Sequence, residues 1–159
     1  KSKGEIMKAA ILMISILTGF HAQAKIDAHE IECIAKNAYF EARGEGVKGM
    51  TAVAQVTKNR VNYGKFPSTY CKVVYQPGQF SWVGKKKQKL DRKDEEWKQA
   101  KEIARLVYYM DLPVDPTKGA LYFHSKDTKP YWTKDKDFKR TSKIGNHVFY
   151  KLKSQLPNA

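Results

Sequence analysis

The sequence predicts an α+β fold, with helices first and a small antiparallel sheet last. Apolar residues recur at helical spacing in three segments before residue 110. Beyond Pro113 and Pro116 the pattern changes to short strand-like runs, and Gly145-Asn146 sits between two of these where a hairpin would turn. The first helix starts at Asp27-Ala28-His29-Glu30, which has capping-box spacing, and Ile31, Ile34, Ala35, Ala38 and Ala42 follow on one face. Gly44 and Gly46 break it. A second helix carries Met50, Val53, Ala54, Thr57 and Val61 on its apolar stripe and stops at Gly64. The stretch from Lys65 to Asp91 holds Pro67, Pro77, Gly78, Gly84 and a lysine run. It reads as a long loop with a short helix around Ser68 to Tyr75. Acidic Asp94, Glu95 and Glu96 open the next helix, where Trp97, Ala100, Ala104, Val107 and Tyr108 repeat on one face. Strands follow at Ala120 to His124 and on either side of Gly145-Asn146.

Composition bounds the rest. The chain has 159 residues, 30 Lys+Arg against 16 Asp+Glu, and a formal charge of +14. One domain of ordinary size fits. A hydrophobic content of 42% with 12% aromatics is too rich for intrinsic disorder, and the low Gly, Pro and Cys counts exclude collagenous and disulfide-scaffold classes. The charge points to a polyanionic partner: nucleic acid, an anionic membrane face or an acidic wall polymer.

At the N-terminus, Lys8 precedes a mostly apolar run from Ala9 to Phe20 and then Ala22-Gln23-Ala24, the pattern of a secretory signal with cleavage after Ala24. A retained signal anchor is the alternative. The expected division is therefore an extension and signal over 1–24 and a single domain over 25–159. Removing Lys1, Lys3, Lys8 and Glu5 with that segment leaves +12 on the domain. In an oxidising compartment Cys33 and Cys71 have only each other as partners, so a disulfide is expected, with two buried free thiols as the alternative. No Cys-x-x-Cys or His-Glu-x-x-His spacing occurs, and the reading assigns no metal and no cofactor.

Ile34, Ala38 and Glu41 fall at i, i+4 and i+7, which places Glu41 on the core-facing stripe at the end of the first helix. Desolvation disfavours a charged carboxylate, and so do the exposed carbonyls of a helix C-terminus. Both should raise its pKa toward what a general acid needs. Asn37, one turn earlier, is within reach to hydrogen-bond it. An ordinary surface ion pair with Arg43 or Lys48 is the competing reading. Glu45, just past Gly44, is available as a second acid or as a cap for the second helix.

The run Asn37-Ala38-Tyr39-Phe40-Glu41-Ala42-Arg43-Gly44-Glu45-Gly46 closely resembles the signature of the SleB-type cell wall hydrolases, and further blocks match in order. They are Ala52-Val53-Ala54-Gln55-Val56 with Asn59-Arg60-Val61, Phe66-Pro67-Ser68-Thr69, Gln79-Phe80-Ser81-Trp82, Gly119 to His124, Trp132, and Ile144 to Tyr150. The resemblance implies a lysozyme-related fold and cleavage of the β-1,4 bond between N-acetylmuramic acid and N-acetylglucosamine, commonly by the lytic transglycosylase route. Glu41 matches the family's catalytic glutamate.

Substrate contacts are expected at Gln79, Phe80, Ser81 and Trp82, because an aromatic platform beside an amide suits a sugar's apolar face and polar edge. Tyr122 and His124 share one face of their strand, with Phe123 on the other. Tyr122 is the next candidate, while His124 and His147 read more readily as structural. Trp132 is platform or core. The implied partner is peptidoglycan, met by a monomer whose charge holds it near anionic wall polymers; the export signal argues against nucleic acid as its natural target. The organism of origin is open between a bacterium and a phage whose endolysin the host exports. A basic exported binding module without catalysis, and a zinc amidase, are the rival classes.

Overall fold

The computed structural model describes residue 23 and residues 25–84 and 89–155. The expected signal segment and most of the Lys85 to Lys89 run lie outside these residues. Among the described residues, four helices precede the sheet. Helix α1 runs through residues 25–42, α2 is Gly46–Tyr63, α3 is Tyr70–Val74 and α4 is Glu95–Tyr109. The chain is already helical at residue 25, so the expected start at Asp27 is overturned. Asp27 does not cap there. Its carboxylate accepts hydrogen bonds from Gln23 and from the hydroxyls of Tyr108 and Tyr109, and Glu30 accepts from the backbone N–H of Cys71.

The α1 stripe of Ile34, Ala35, Ala38 and Ala42 is fully buried against Met50, Val53 and Ala54 of α2 and Trp97, Ala100 and Ala104 of α4. Alanine predominates where the helices meet, and small side chains let helix backbones come close without leaving voids. Helix α2 is the spine of the fold, buried from Gly49 to Arg60 on nearly every side, and it ends at Gly64, whose φ of 76° is the left-handed cap that glycine accommodates. Glu95 and Glu96 occupy the favourable first turn of α4 as expected, whereas Asp94, expected in that turn, stands one position ahead of it and caps the helix by accepting from Glu96 N–H.

Strands β1 (Tyr122–Ser125), β2 (Phe138–Ile144) and β3 (His147–Leu152) form one antiparallel sheet in the order β1-β3-β2. Tyr122 pairs with Tyr150 and Ser125 with His147. The β2–β3 register shifts between Arg140 and Ser142. Gly145 has φ 55° at the first position of the Gly145-Asn146 turn, where a primed hairpin turn needs it. Phe149 of β3 joins Ala52 and Val56 of α2 in a buried cluster, which fastens the sheet to the spine. Cys33 and Cys71 form the expected disulfide and tie α3 to α1. None of the helices among the described residues is long and apolar enough to cross a membrane.

Candidate active site

The end of α1, which carries Glu41, is pinned from three sides. Tyr39 is buried and donates its hydroxyl to Asp94 Oδ2 at 2.7 Å, with its ring edge-on to Trp97. Gly44 N–H donates to Glu96 Oε1. Asn37, one turn before Glu41, is fully buried. Its amide donates to Thr57 Oγ1 and accepts from Trp82 Nε1. Asn37 therefore locks α1 to α2 and to the loop that carries Trp82. Glu41 itself is half-buried.

Arg60, on α2, has no role assigned by its sequence pattern and is the principal addition. Its residue is only 4% exposed. Nε donates to the Leu121 carbonyl at 2.7 Å, Nη1 is buried without a hydrogen-bond partner, and the guanidinium lies over the rings of Phe66, Phe80 and Tyr122 at 5.2, 5.3 and 5.9 Å. Burial pushes its pKa down to about 10, and the neighbouring Tyr122 and Glu41 push back up. Arg60 is thus a cation at neutral pH, and Glu41 is within its electrostatic reach. Coulombic interaction is reciprocal, so the Arg60 cation favours the ionised form of Glu41, against the burial expected to disfavour it. A sequence signal existed: Val53, Thr57 and Arg60 repeat the i, i+4, i+7 spacing that singled out Glu41, a charge on an apolar stripe.

Its neighbour Asn59 fixes the chain leading into β1. The Asn59 amide donates to Asp115 Oδ2, Thr117 Oγ1 and the Ala120 carbonyl, and Asp115 also accepts from the N–H groups of Thr117 and Gly119. This network holds Leu121 and Tyr122 where Arg60 meets them.

Tyr122 and His124 alternate with Phe123 along β1 as expected, and Trp132, from the turn after β1, packs against both. The Trp132 ring centroid lies 5.9 Å from that of Tyr122, 5.7 Å from that of His124 and 5.3 Å from that of Tyr150. His124 stacks on Tyr150 and hydrogen-bonds Tyr150 Oη and the Ser125 carbonyl, a structural pattern. Burial raises the Tyr122 pKa, so its hydroxyl stays protonated near neutrality. Phe123 lies on the opposite face, against Phe80 and Phe149.

The Gln79 to Trp82 block divides by residue type. Phe80 and Trp82 are 5% and 7% exposed and pack with Cys33 and Val74, whereas Gln79 and Ser81 face solvent. The aromatic pair is accounted for first by packing, since Trp82 also stacks on Phe40 at 4.8 Å.

Glu45 stands at the cap position of α2 but makes no side-chain capping bond. Its Oε2 accepts from Asn146 N–H at 3.2 Å and meets His147 Nδ1 at 3.2 Å, with both side chains under one-tenth exposed. The carboxylate lies so close to Gly145 and Gly49 that a Cβ on either would collide with it. Glu45 thereby clamps the α1–α2 turn to the β2–β3 hairpin.

A cavity of about 550 Å³ between α1 and α4, lined by Asp27, Arg92, Trp97 and Lys101 among others, lies elsewhere. Asp27 is 14 residues before Glu41, roughly 21 Å along the helix.

A family model described as Cell Wall Hydrolase matches residues 44–150. The catalytic domain of the Bacillus cereus SleB protein superposes with a TM-score of 0.61 at 32% identity, covering 77% of this chain and 89% of that one. The chain belongs to the cell wall hydrolase family. Its fold is the lysozyme-like fold of those SleB domains. A second solved relative, the catalytic domain of a germination-specific lytic transglycosylase, SleB, from Bacillus anthracis, has the same TM-score at 30% identity over 77% of this chain and 93% of that one. The spore cortex-lytic enzyme of Oceanobacillus iheyensis is 32% identical over 127 residues, which is 77% of this cell wall hydrolase family member and 42% of the relative. The chain thus spans less than half the length of the curated relatives it matches. The family match opens at Gly44, so Glu45, Arg60, Tyr122 and Trp132 lie inside it and Glu41 lies just ahead of it.

Proposed function

We propose that this chain is a peptidoglycan glycosidase that cleaves the MurNAc-GlcNAc β-1,4 bond as a lytic transglycosylase, with Glu41 as its one acid–base residue. The observation that carries the reading is the half-buried Glu41 at the end of α1, within the field of a buried cation, Arg60. Such a reaction needs one carboxyl in two protonation states. Protonated Glu41 gives its proton to the glycosidic oxygen as the bond to the anomeric carbon breaks. The resulting carboxylate then takes the proton of the same sugar's 6-hydroxyl as that oxygen closes a 1,6-anhydro ring on the anomeric carbon. The proton count balances and no water is consumed. Partial burial favours the acid form that donates the proton, and the Arg60 cation favours the carboxylate that takes one back.

In a hydrolytic muramidase a second carboxylate would activate water or attack the sugar. Glu45 is the candidate, but its Oε2 faces Asn146 N–H and His147, which supports a structural role instead. Gln79, Ser81, Tyr122 and Trp132 are the proposed glycan contacts, and Phe80 and Trp82 back them from the interior. We further take the chain to act as a monomeric domain over 25–159, exported by the segment before it, with its positive charge holding it at anionic wall polymers. A Glu41→Gln variant tests the reading. Its release of soluble muropeptides from purified peptidoglycan should fall about 100-fold or more, whereas a variant that lyses at the wild-type rate defeats the assignment.

A further inference from the structure

The edge strand β2 carries a bulge that the chemistry at Glu41 does not use. Phe138, Lys139 and Arg140 pair with Leu152, Lys151 and Tyr150, and pairing resumes with Ser142 against Phe149 and Lys143 against Val148, so Thr141 is the extra residue. Its hydroxyl donates to the Phe149 carbonyl at 3.2 Å, which fastens the bulge to the central strand. In a regular strand, positions 140 and 143 point to opposite faces; the extra residue turns both to the same one. That face is shared with Tyr122 and His124, because Tyr150 also pairs with Tyr122, and Val148 with His124. Ring contacts agree. Phe138, two residues before Arg140, meets Tyr122 and Trp132 at 5.0 Å each, while Ile144, one residue past Lys143, packs on the opposite side with Phe149 and Ala52. Two cross-strand rows follow, one of Tyr122, Tyr150 and Arg140 and the other of His124, Val148 and Lys143. Each starts beside Trp132 and ends on an exposed cation at the sheet edge. Two strand spacings put the Arg140 backbone about 10 Å from that of Tyr122, close to the length of one disaccharide. Among the described residues neither cation forms an ion pair, whereas Arg92, Lys98 and Arg105 on the helical side each meet a carboxylate. Edge cations discourage strand addition, but that role asks only for charge and not for two cations on the aromatic face.

We propose that Arg140 and Lys143 form a subsite for the stem peptide of peptidoglycan, taking its carboxylates while Tyr122 and Trp132 hold the glycan strand that bears it. The inference rests on the glycosidase reading above and adds a substrate preference to it. The N-acetylated sugars of the strand are uncharged where a peptide is attached, so the free carboxylates belong to the peptide branches. A branch carried one disaccharide along from the sugar at Tyr122 comes down at the sheet edge, where the bulge has set both cations. The guanidinium of Arg140 offers a planar fork that suits a carboxylate, and the Lys143 ammonium adds a second point of charge. Strands that carry acidic peptides are therefore bound in preference to strands whose peptides have lost their charge. Strand periodicity alone misses the pair, because without the bulge Arg140 and Lys143 fall on opposite faces.

The test uses the full chain carrying Glu41→Gln as the parent, and reads its co-sedimentation in the cold with purified peptidoglycan freed of attached polymers. The same peptidoglycan is also used after its carboxylates have been converted to amides with carbodiimide in excess ammonia. Arg140→Gln with Lys143→Gln should weaken binding to untreated peptidoglycan about 5- to 10-fold. Amidation should weaken the parent by a similar factor and this variant by less than about 2-fold, since the groups that amidation removes have already lost their partners. Lys98→Gln with Arg105→Gln removes the same charge from exposed positions on α4 and should bind within about 2-fold of the parent. All four positions are exposed, so both double variants should melt close to the parent. The proposal falls if the Arg140 and Lys143 variant binds like the parent, if the α4 variant loses as much, or if amidation weakens all three chains equally. A Glu41→Gln chain that still dissolves peptidoglycan on warming defeats the proposed function instead, while binding in the cold still decides the subsite.

Discussion

Replacing Glu45 by alanine separates a clamp from a second catalytic acid. The substitution removes a carboxylate that accepts from Asn146 N–H and from His147 Nδ1. Asn146 is exposed, so water replaces that bond at little cost. His147 is not: its residue is 6% exposed, and losing the partner strands a buried ring nitrogen. Hydrogen bonds to a charged acceptor contribute about 1.5–3 kcal/mol, and a stranded buried polar group costs about 1–3 kcal/mol. With a small void between Gly49 and Gly145 added, Glu45→Ala should destabilise the fold by roughly 2–4 kcal/mol, lowering Tm by about 6–12 °C at this size. Glu45→Gln keeps the shape and one acceptor oxygen, and should cost about 1 kcal/mol. Thermal unfolding followed by circular dichroism gives the stability, and muropeptide release well below the melting range gives the activity. The clamp predicts a large Tm loss for the alanine variant and near-normal activity for the glutamine variant. If both variants melt like the parent while activity falls about 100-fold, Glu45 belongs to the chemistry and the clamp reading is refuted. Gly145→Ala offers a check, since its Cβ would strike Glu45. Part of its cost should vanish in a Glu45→Ala background, a coupling on the order of 1 kcal/mol.

Three further predictions concern charge and cross-linking. Arg60→Met removes the cation that favours ionised Glu41, so the alkaline limb of the pH–rate profile, set by loss of the acid proton, should move to higher pH, while Arg60→Lys should hold it nearer the parent; an unmoved limb in the methionine variant counts against electrostatic contact between the two. Cys33→Ser opens a cross-link spanning 38 positions and should cost about 4 kcal/mol on the loop-entropy estimate, read by urea unfolding; a loss below about 1 kcal/mol would mean that the packed cluster around Cys33 holds α3 unaided. Lysis of intact walls should slow as salt rises from low to physiological ionic strength, because long-range attraction between a basic domain and an anionic polymer is screened; a flat salt profile would leave the positive charge without that purpose.

The parts of the fold legible in the sequence were those set by local physics. The stripes of the three main helices, the acidic first turn of α4, the Gly64 stop and the Gly145-Asn146 turn all follow from spacing and backbone preference, and the structure has each of them. Local rules gave way where distant residues decide. Asp27 and Glu30 have capping-box spacing, yet Tyr108 and Cys71 take up their oxygens. Phe80 and Trp82 lie in a stretch with no periodicity, so their burial against Cys33 and Val74 could not be read from pattern. Glu45 meets His147 across 102 positions. Arg60 carried a periodic signal that an apolar stripe masks, because a buried arginine becomes intelligible only once Phe66, Phe80 and Tyr122 surround it. For the site, helix spacing placed Glu41 and the family motif named it. Spacing alone left the identity of the reaction open.

Mass spectrometry of the fragments released from purified peptidoglycan by the wild-type chain and by Glu41→Gln tests the central claim most directly. The account predicts fragments ending in an anhydro sugar, lighter by one water than hydrolysed ends, from the wild type, and almost none from the variant. Fragments with hydrolysed reducing ends, or equal release by the variant, would contradict a single-glutamate transglycosylase.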